Sequence, residues 1–504
     1  AVSAAEEGLN VVVVSASEKP VSRGGSNNAV FCKAMQREGF DKLTPFMFQK
    51  EIFYAGNQVD EAKWYKHYNN SETAMNWIID MMEGAGYAVK VEKGTPGSPT
   101  SLYYETCSIG WDYGPGQEPD PDLVVSTGMM QPLLVNELAR RLTEELDGRI
   151  DFKTKGEQLV REDNNTGRVT AVICSREDGS YAKYTGSKAV VLATGDFSAN
   201  RDMMYRYAPS YAPYIADEVY DSEPNYDAGF QYGGLFKGDG QRMGLWVGAG
   251  WQKIFPNCVM GGFFGPGPRN LYSNFLGLLV NTKGERFMNE DQCYPMSYAA
   301  GANQPKHYSW IVWDGNYWDD IAQFDTCGCS RLYPAPSGTA FNADVYDCEA
   351  MSKEHLDEFW LNPRLEAGTL KKADTLEALA DMMEFDADQK ATFLATVERY
   401  NGLVAAGEDT DFGKPAYRLS DVETAPFFAA RIGGELLVTI HGVITDVNSQ
   451  PLKNDGTPIE GLYVCGNDQG GFYPHNYPSN FTGINAGRTA TFARIAAKHA
   501  LGVE

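Results

Sequence analysis

Three side chains that can give up a proton lie in one short run near the end of the chain. Tyr473, His475 and Tyr477 stand among glycine, asparagine and proline in GFYPHNYPSNFTGINAG, and an alanine-rich helix is predicted directly after this run. A tyrosine, with a pKa of about 10, keeps its proton at neutral pH and is suited to giving it to a carbanion. The run predicts either a binding loop that holds a proton donor or a surface loop that caps a helix.

Composition and charge narrow the function classes. The chain has 504 residues, of which 43% are hydrophobic and 22% charged, and this predicts a globular protein of two or three domains. Its 43 Lys and Arg against 67 Asp and Glu give a formal charge of -24, which repels phosphate backbones, so no nucleic-acid partner is expected. No apolar run approaches the roughly 20 residues that a membrane span needs, so none is expected in this sequence.

Cysteine and histidine usage does not predict a metal site. The nine cysteines show no repeated spacing, which favours reduced thiols over a disulfide framework. Only Cys327, Cys329 and Cys348 lie close enough together to suggest an iron–sulfur cluster, and their spacing differs from the usual ligand patterns, so this question stays open. None of the six histidines is paired at metal spacing, so no zinc site is expected.

The elements that would position the loop resemble those of a nucleotide-binding fold. The opening residues predict the last turns of a helix that stops at Gly8, and then a strand over Val11–Val14 that is apolar on both faces, as in a parallel sheet covered by helices. In a nucleotide-binding βαβ unit such a helix follows a strand and a GxGxxG turn. We therefore expect that residues carrying this strand and turn precede Ala1 in the full protein.

Further elements follow from local patterns. The segment Leu133–Leu146 has helical periodicity, and a hairpin with the turn EDGS leads into a buried strand that ends at Ala193, Thr194 and Gly195. Small residues at the carboxyl end of a strand leave room for a flat ligand against the backbone. Other predicted elements are a strand over Ile150–Phe152, a turn and short helix over Gly238–Gly250, a helical stretch over Thr375–Val404 and a strand over Gly461–Cys465.

The return of a strand at Gly461, after a middle region rich in aromatic residues, proline and glycine, predicts an interrupted domain. We predict an α/β fold in which a Rossmann-like domain with a parallel sheet is interrupted by an inserted α+β capping domain. The predicted limits are residues 1–250 for the first part of the nucleotide-binding domain, 251–425 for the capping domain and 426–504 for the last part.

Five motifs, taken in order, resemble one protein family. They are VVVVSASEKPVSRGGSN, VVLATGDFSANRDMMYRYAP, GDGQRMGLWVGAG, LLVNTKGERFMNE and GLYVCGN. Together they closely resemble the FAD-containing flavoproteins of the fumarate reductase and succinate dehydrogenase superfamily, which includes urocanate reductase and the 3-ketosteroid dehydrogenases. The resemblance covers nearly the whole chain. It implies that the interrupted domain is a Rossmann-like FAD-binding domain and that FAD is the cofactor.

The resemblance assigns cofactor contacts to glycine-rich turns and to one helix start. The helix that begins near Gly483 would direct its amide dipole at the flavin and stabilise negative charge on the reduced ring. The family usually has an acid at the position of Ser15 to hold the adenosine ribose, so Glu18 is the expected substitute here. The residues implied to contact FAD are Ser15, Glu18, Gly24, Gly25, Ser26, Asn27, Ala193, Thr194, Gly195, Asn200, Gly238, Asp239, Gly466, Asn467, Gly483 and Ile484.

The cations that hold fumarate in this family are missing. Matching motifs places Tyr294 where the family has its proton-donating arginine. Phe255 and Val438 stand where the family has substrate-binding histidines. Burying carboxylates without cations costs several kcal/mol per ion. The resemblance therefore implies a neutral, hydrophobic small-molecule substrate rather than fumarate, succinate or a urocanate-like anion.

One tyrosine matches the 3-ketosteroid dehydrogenases by its spacing. In those enzymes a tyrosine in a YPG segment, eleven residues after the glycine of an AGN motif, polarises the substrate carbonyl. Tyr477 stands eleven residues after Gly466 of CGN and is followed by proline, but Phe481 replaces the glycine whose amide assists the carbonyl. This departure argues against a steroid 3-ketone and not against another neutral carbonyl or aromatic substrate.

The candidate proton donors and polarising groups are tyrosines and histidines. His441 takes a position where the family has glycine beside the flavin, and a buried structural histidine is the alternative. For any single tyrosine the alternative is packing in an aromatic core. The candidates are Tyr477, Tyr294, His441, His475, Tyr473 and Tyr333.

Three hypotheses for the function remain. The first is a reductase that transfers hydride from FAD N5 to an activated C=C of enone or butenolide type, or a related bond, in a neutral, hydrophobic and cyclic substrate, with a tyrosine as proton donor or polariser. The second is a dehydrogenase that desaturates a ketone, like the steroid enzymes, and the third is an electron-carrier flavoprotein. The electron donor is not evident from the sequence, and a redox protein or a reduced nicotinamide would serve.

Overall fold

Short strands and helices of very different lengths make up the chain. The structure is a computed structural model, and it describes residues 1–22, 26–54, 58–94, 106–118, 120, 123, 130–228, 236–254, 258–260, 277–291, 299–322, 353–432, 436–474 and 483–503. The strands are β1 (Val12–Val14), β2 (Ala88–Gly94), β3 (Thr106–Asp112), β4 (Arg149–Asp151), β5 (Thr154–Arg161), β6 (Val169–Arg176), β7 (Tyr181–Thr185), β8 (Val190–Leu192), β9 (Cys258–Met260), β10 (Leu278–Asn281), β11 (Ser309–Trp313), β12 (Leu370–Ala373), β13 (Phe427–Ile432), β14 (Leu436–Thr439), β15 (Val443–Ile444), β16 (Leu462–Val464) and β17 (Gln469–Gly470).

The helices range from single turns to 24 residues. They are α1 (Val2–Glu6), α2 (Lys33–Arg37), α3 (Pro45–Tyr54), α4 (Glu61–Gly84), α5 (Gln131–Arg140), α6 (Glu162–Asn165), α7 (Arg201–Tyr207), α8 (Asp217–Asp221), α9 (Asp239–Trp246), α10 (Tyr317–Ala322), α11 (Lys353–Leu356), α12 (Asn362–Glu366), α13 (Leu376–Met382), α14 (Ala387–Ala406) and α15 (Ile484–Leu501). Helix α5 continues as a π-helix over Arg141–Glu145, so the helix predicted over Leu133–Leu146 is confirmed with an irregular last turn.

Parallel strand pairs link distant parts of the chain. Strand β1 lies parallel to β4, with Val13 opposite Ile150, which confirms both predicted strands. Strand β8 lies parallel to β16, with Val191 opposite Tyr463. Segments about 270 residues apart in sequence are therefore neighbours in space, and the carboxyl ends of β8 and β16 meet at one edge.

The predicted hairpin forms and packs on the parallel pair. Strands β5, β6 and β7 make an antiparallel sheet, and Gly179 in the turn takes φ of 79°, a left-handed conformation that glycine adopts without strain. Apolar side chains from β6, β8, β16 and α9 share one core. Its buried members include Leu159, Val169, Leu192, Met243, Val443 and Leu462.

The middle of the chain contributes a separate antiparallel sheet. Its strand order is β10, β11, β13, β12, and helices α13 and α14 cover it through a core that contains Val280, Val312 and Phe393. Strand β13 lies just beyond the predicted end of the capping domain at residue 425, yet it pairs with β11 and β12. The overall class is thus mixed helix and sheet, whereas the division into an FAD-binding and a capping domain stays a prediction.

Local sequence patterns predict neither the long helix α4 nor the hairpin of β2 and β3. Asp60 caps α4 by accepting a hydrogen bond from the backbone N–H of Lys63 at 3.3 Å. Helix α4 packs along α15, and its buried face carries Lys63, Trp64, His67 and Ser71. Polar residues on a buried face hide the amphipathic pattern from which helices are predicted.

Two negative findings apply to the described ranges alone. Within them, no helix combines the length and the apolar character that crossing a membrane requires. No cluster of three or more potential metal-ligating side chains is found in this part of the chain, and Cys327, Cys329 and Cys348 lie outside it.

A cluster of carboxyl groups at the end of β11, with Asp314 buried and Asp320 and Asp421 partly buried, makes stability depend on pH. Burial, and then repulsion from Asp314 and Asp421, raises the pKa of Asp320 from 3.8 to about 7. The folded chain keeps this proton at pH values where the unfolded chain has lost it. The stabilising contribution is therefore complete below pH 3.8 and is lost as the pH rises through about 7.

We predict that Asp320→Asn raises the unfolding temperature at pH 8 by about 2 °C and that the gain shrinks as the pH is lowered to 5, because the wild-type carboxyl is then protonated. Calorimetry across this pH range measures the effect. Asp319→Asn, which removes an exposed carboxylate from the same helix, is the control and should change the unfolding temperature less. Equal gains for the two variants would contradict the prediction.

Candidate functional site

A buried carboxyl group joins the end of β8 to the loop after β16. Asp468 accepts a hydrogen bond from the backbone N–H of Thr194, and its Oδ1 accepts another from the Thr194 hydroxyl at 3.0 Å. The Thr194 hydroxyl oxygen accepts in turn from the backbone N–H of Gly240 at 2.8 Å. Burial raises the pKa of Asp468 to about 7, although the hydrogen bonds from Thr194 oppose the rise. Three glycine-containing turns are fixed at one point by this carboxyl group.

Two amide side chains tie the same turns together a second time. Gln241 Nε2 donates to the carbonyl oxygens of Gly195, at 2.9 Å, and Asn467, at 3.2 Å. Asn485 Nδ2 donates to Asn467 Oδ1 at 2.9 Å, which connects the first turn of α15 to the CGN motif. The motifs that the sequence singled out at 193–195, 238–239, 466–467 and 483–484 therefore converge.

The start of α15 and the segment Ser26–Asn28 touch backbone to backbone. A Cβ atom on Gly483 would lie 2.7 Å from the carbonyl carbon and oxygen of Ser26, and one on Gly487 would overlap the carbonyl of Asn28. Gly483 also takes φ of 80° as the residue that begins the helix. Only glycine satisfies both requirements at Gly483, so these positions set how closely the first and last segments of the site approach.

The N-terminus of α15 is a ready anion site. The first backbone N–H groups of this 18-residue helix have no intrahelical partner, as in any helix. In the described part of the chain no side chain caps the helix either. Aligned peptide dipoles place partial positive charge there. A dinucleotide or a flavin ring that gains negative charge on reduction would be stabilised at this point.

The converging turns fit FAD. Ala193 is exposed, and Thr194, Gly195, Gly466 and Asn467 are partly exposed although the residues on either side are buried. Gly195 takes φ of 105°, and a Cβ there would lie 2.5 Å from Phe236. The result is a bare backbone surface at the carboxyl end of two parallel strands, where dinucleotides bind in such folds.

An open groove of about 340 Å³ follows the carboxyl end of β1. Glu18 lies in its lining, as expected for a substitute ribose ligand, and its carboxylate is 3.3 Å from Lys153 Nζ. Ser15 instead shares a hydrogen bond of 2.7 Å with the Ser17 hydroxyl. The lining residues are Ala16, Glu18, Lys153, Lys155, Ser175, Arg176, Glu177, Tyr226 and Asp227. The groove offers charged and aromatic groups to an adenosine moiety, and the roles of Ser15 and Glu18 stay predictions.

His441 lies in an aromatic cluster beside the FAD cradle, which consists of the converging turns at 193–195, 238–239, 466–467 and 483–484. Its ring stacks on Phe197 at 4.9 Å and meets Trp251 edge to face at 5.6 Å, with Tyr207 stacked on Trp251 at 4.0 Å. Burial lowers the pKa of His441 to about 3. The imidazole is therefore neutral at physiological pH, and it cannot serve as a cationic acid.

Tyr473 is buried against α15. Its hydroxyl lies 3.5 Å from Asn485 Oδ1, and the guanidinium of Arg488 lies 5.1 Å from its ring centroid. Burial raises the pKa of Tyr473 above its usual value, so the phenol stays protonated. The structure thus places Tyr473 next to the residues that hold Asn467, and its catalytic role stays a prediction.

Other predicted cofactor ligands have structural partners of their own. Asn200 caps α7 by accepting from the backbone N–H of Met203 at 3.1 Å, and it donates to the carbonyl of Lys237 at 2.8 Å. Gly238 begins α9 in the left-handed conformation, and Asp239 forms an ion pair with Arg242. The contacts of Asn200, Gly238 and Asp239 with FAD stay predictions.

Six predicted residues lie outside the described ranges. They are the FAD ligands Gly24 and Gly25 and the candidate catalytic residues Tyr294, Tyr333, His475 and Tyr477. The position Phe255, where the family has a histidine, is also outside.

Several residues of the site gave no signal in the sequence. Asp468, Gln241 and Asn485 make the hydrogen bonds that join the motifs, and Lys63 and Arg488 bring buried positive groups close to them. Asp468 and Asn485 adjoin predicted ligands, and that adjacency was the one clue available. Nothing in the local sequence around Lys63 indicates burial beside a loop 400 residues away.

We predict that Gly487→Ala lowers the affinity for FAD by at least about tenfold, because the methyl group displaces Ser26–Asn28 from the start of α15. Fluorescence titration of the apoprotein with FAD measures this affinity. Gly402→Ala in α14 is the matched control, since no atom lies within 4 Å of its Cβ position. That variant should keep its FAD and gain up to about 1 kcal/mol of stability. Equal FAD affinity in the two variants would contradict the role of the close approach.

Comparison with known proteins shows the family. The model of the FAD binding domain family, FAD_binding_2, matches residues 1–480. A vinyl phenol reductase of Lactiplantibacillus plantarum is 24% identical over 99% of this chain and 93% of its own length. A 3-oxosteroid 1-dehydrogenase of Mycolicibacterium smegmatis is 28% identical over 61% of this chain, and the match spans only 51% of that protein.

A solved structure gives the same fold. The open conformation of a flavocytochrome c3 fumarate reductase superimposes with a TM-score of 0.64 at 21% identity, covering 99% of this chain and 76% of that one. These matches confirm the resemblance that the five motifs indicated, and with it FAD as the cofactor. The chain belongs to the FAD binding domain family and is an FAD-dependent oxidoreductase.

Proposed function

We propose that this chain is a reductase of an activated C=C, or a related bond, in a neutral and hydrophobic small molecule, and so acts on CH–CH groups. The observation that carries the proposal is the uncharged aromatic cluster that packs beside the FAD cradle. Phe197, Tyr207 and Trp251 surround His441, whose pKa is lowered to about 3 by burial. An apolar lining with few polar groups suits an aromatic or cyclic substrate.

The charges expected for a dicarboxylate substrate are absent from the positions that can be compared. Val438, where the family has a histidine, packs with the hydrophobic core, and the neighbouring His441 is neutral. The sequence has phenylalanine at 255 and tyrosine at 294 in place of the other two cations. Carboxylates would lose their hydration here without ion pairs to offset the loss.

A relative that matches nearly the whole chain and 93% of its own length supports a neutral alkene. That reductase is named for vinyl phenol, an uncharged aromatic compound whose ring carries a C=C. A ring of this kind would stack against aromatic side chains such as those around His441.

The chemistry needs a hydride, a proton and a polarising group. FAD, when bound, supplies the hydride. In this chain the proton is assigned to one of two uncharged acids: Tyr477, or Tyr294, which stands where fumarate reductases have their arginine. The neutral imidazole of His441 can donate one hydrogen bond to an electron-withdrawing group without adding charge. The helix start at Gly483 and the aromatic walls would orient the substrate and exclude water.

A dehydrogenase that desaturates a ketone is the second candidate. The match to a 3-oxosteroid 1-dehydrogenase and the spacing of Tyr477 from Gly466 favour it. The two directions are separated by anaerobic rates, measured with a low-potential donor plus alkene and with a high-potential acceptor plus saturated ketone. A faster second reaction would favour the dehydrogenase.

We predict that the chemically reduced, FAD-loaded protein is reoxidised by at least one vinyl phenol, enone or butenolide at least about 100-fold faster than by fumarate, since unpaired carboxylates cost several kcal/mol to bury. Anaerobic stopped-flow absorbance of the flavin measures both rates. Reoxidation by fumarate and by none of the neutral acceptors would refute the proposed substrate class.

We predict that Tyr477→Phe lowers the rate of alkene reduction by about 10²–10⁴-fold, because general acid catalysis typically contributes that much. The rate of flavin reduction by an artificial donor should stay the same. Tyr294→Phe tests the other candidate in the same way, and Tyr181→Phe, at a side chain that is 70% exposed, is the matched control. Full alkene reduction by the double variant Tyr477→Phe, Tyr294→Phe would refute a tyrosine as the proton donor.

A further inference from the structure

Arg488 is a completely buried cation in the second turn of α15. Its Nη2 donates to the carbonyl oxygen of Gly466 at 3.0 Å and to Asn485 Oδ1 at 2.9 Å. Its Nη1 lies 3.4 Å from Gln469 Oε1, and the rings of Phe472 and Tyr473 pack on the guanidinium. These partners belong to the CGN loop and to the helix start, so Arg488 lies directly behind the FAD cradle.

Neutral groups surround this charge. Among the described residues no carboxylate forms an ion pair with Arg488, and its Nε has no hydrogen-bond partner there. The buried carboxyl of the cradle, Asp468, is hydrogen-bonded to Thr194 instead. Burial lowers the pKa of Arg488, but a guanidinium stays protonated in proteins. The cation is therefore held at a desolvation cost that no described anion offsets.

A second buried amine lies close by and carries the same sign. Lys63 on α4 is fully buried, and its Nζ donates to the carbonyl of Gly470 at 3.3 Å. Burial lowers its pKa to about 8, and repulsion from Arg488 contributes to the shift, whereas Asp60 and Asp446 oppose it. His67, one turn further along α4, is neutral because burial lowers its pKa to about 3. Two buried groups that can carry positive charge, Arg488 and Lys63, therefore lie behind the cradle.

We propose that Arg488 stabilises reduced FAD over oxidised FAD, by placing an uncompensated positive charge behind the cradle and by holding Asn485 and Asn467 in position. Arg488 is a positioning residue in this proposal and does not take part in proton or hydride transfer. The proposal concerns the cofactor alone and holds whatever the substrate is.

The physical reason is the charge that FAD gains. Two electrons from an external reductant and one proton from water convert neutral isoalloxazine to a singly negative reduced form. In a medium of low effective dielectric constant, a buried cation favours that form over the neutral one. The same charge that is costly in the apoprotein and with oxidised FAD is offset when the cofactor is reduced.

The test is the midpoint potential of bound FAD, measured without substrate by anaerobic spectroelectrochemical titration. Arg488→Met should reduce the preference for reduced over oxidised FAD at least tenfold, which for a two-electron couple lowers the potential by about 30 mV. Titration of the apoprotein with oxidised FAD gives the affinity in parallel. A fall in that affinity with an unchanged potential would mean that Arg488 only supports the fold of the loop, and would overturn the proposal.

A second variant separates charge from shape. Gln469→Glu adds a carboxylate beside Arg488 Nη1 without changing the side-chain length, and the hydroxyls of Thr445 and Ser449 can turn to donate to it. The midpoint potential of Gln469→Glu should fall, as in Arg488→Met. If Arg488→Met does not fold, the potential of Gln469→Glu alone tests the proposal. No shift in Gln469→Glu would overturn the proposal.

Arg494 provides the matched control on the same helix. Its side chain is 19% exposed and lies 3.9 Å from a carboxylate oxygen of Glu6, so water and this anion screen its charge. Arg494→Met should leave the potential unchanged. A shift as large as that of Arg488→Met would show a general effect of net charge and would overturn the assignment to Arg488.

Discussion

The site depends on a backbone contact that no side chain could replace. Gly483 and Gly487 let the first turns of α15 touch Ser26–Asn28. The positive end of the helix dipole therefore lies next to the segment after β1. A single methyl group at either glycine would separate them. Because protein interiors are close-packed, such a displacement cannot be absorbed locally and would spread to Asn485 and the CGN loop that it holds.

Hydrogen bonds from a few buried polar side chains turn this contact into a defined cradle. Asp468 and Gln241 join the end of β8 to the CGN loop, and Asn485 joins that loop to α15. Each link crosses between segments far apart in sequence. The backbone of Ala193–Gly195 and Gly466–Asn467 is then left partly exposed, while the buried side chains of Arg488 and Lys63 lie behind the loop.

The distribution of charge around the cradle agrees with the proposed neutral substrate. A fumarate enzyme needs cations in front of the flavin to hold carboxylates. In this chain the aromatic cluster of His441, Phe197 and Trp251 lies beside the cradle, and the buried cations lie behind it. Positive charge can then favour the reduced cofactor without attracting anionic substrates.

Through its resemblance to a family the sequence by itself determined the cofactor, and its local patterns determined a mixed helix and sheet class and the positions of most glycine-rich turns. Close approach to a dinucleotide demands small residues in a fixed order along the chain. The sequence also predicted β1, the β6–β7 hairpin, β8, β16 and the helix after Gly483, where local patterns are strong. Only the tertiary structure placed Asp468 against Thr194 and buried Lys63 and Arg488 behind the loop. Burial and pairing of a polar side chain depend on neighbours hundreds of residues away, and no local periodicity records them. For the same reason the neutral state of His441 was decided by its aromatic neighbours and not by its place in a motif.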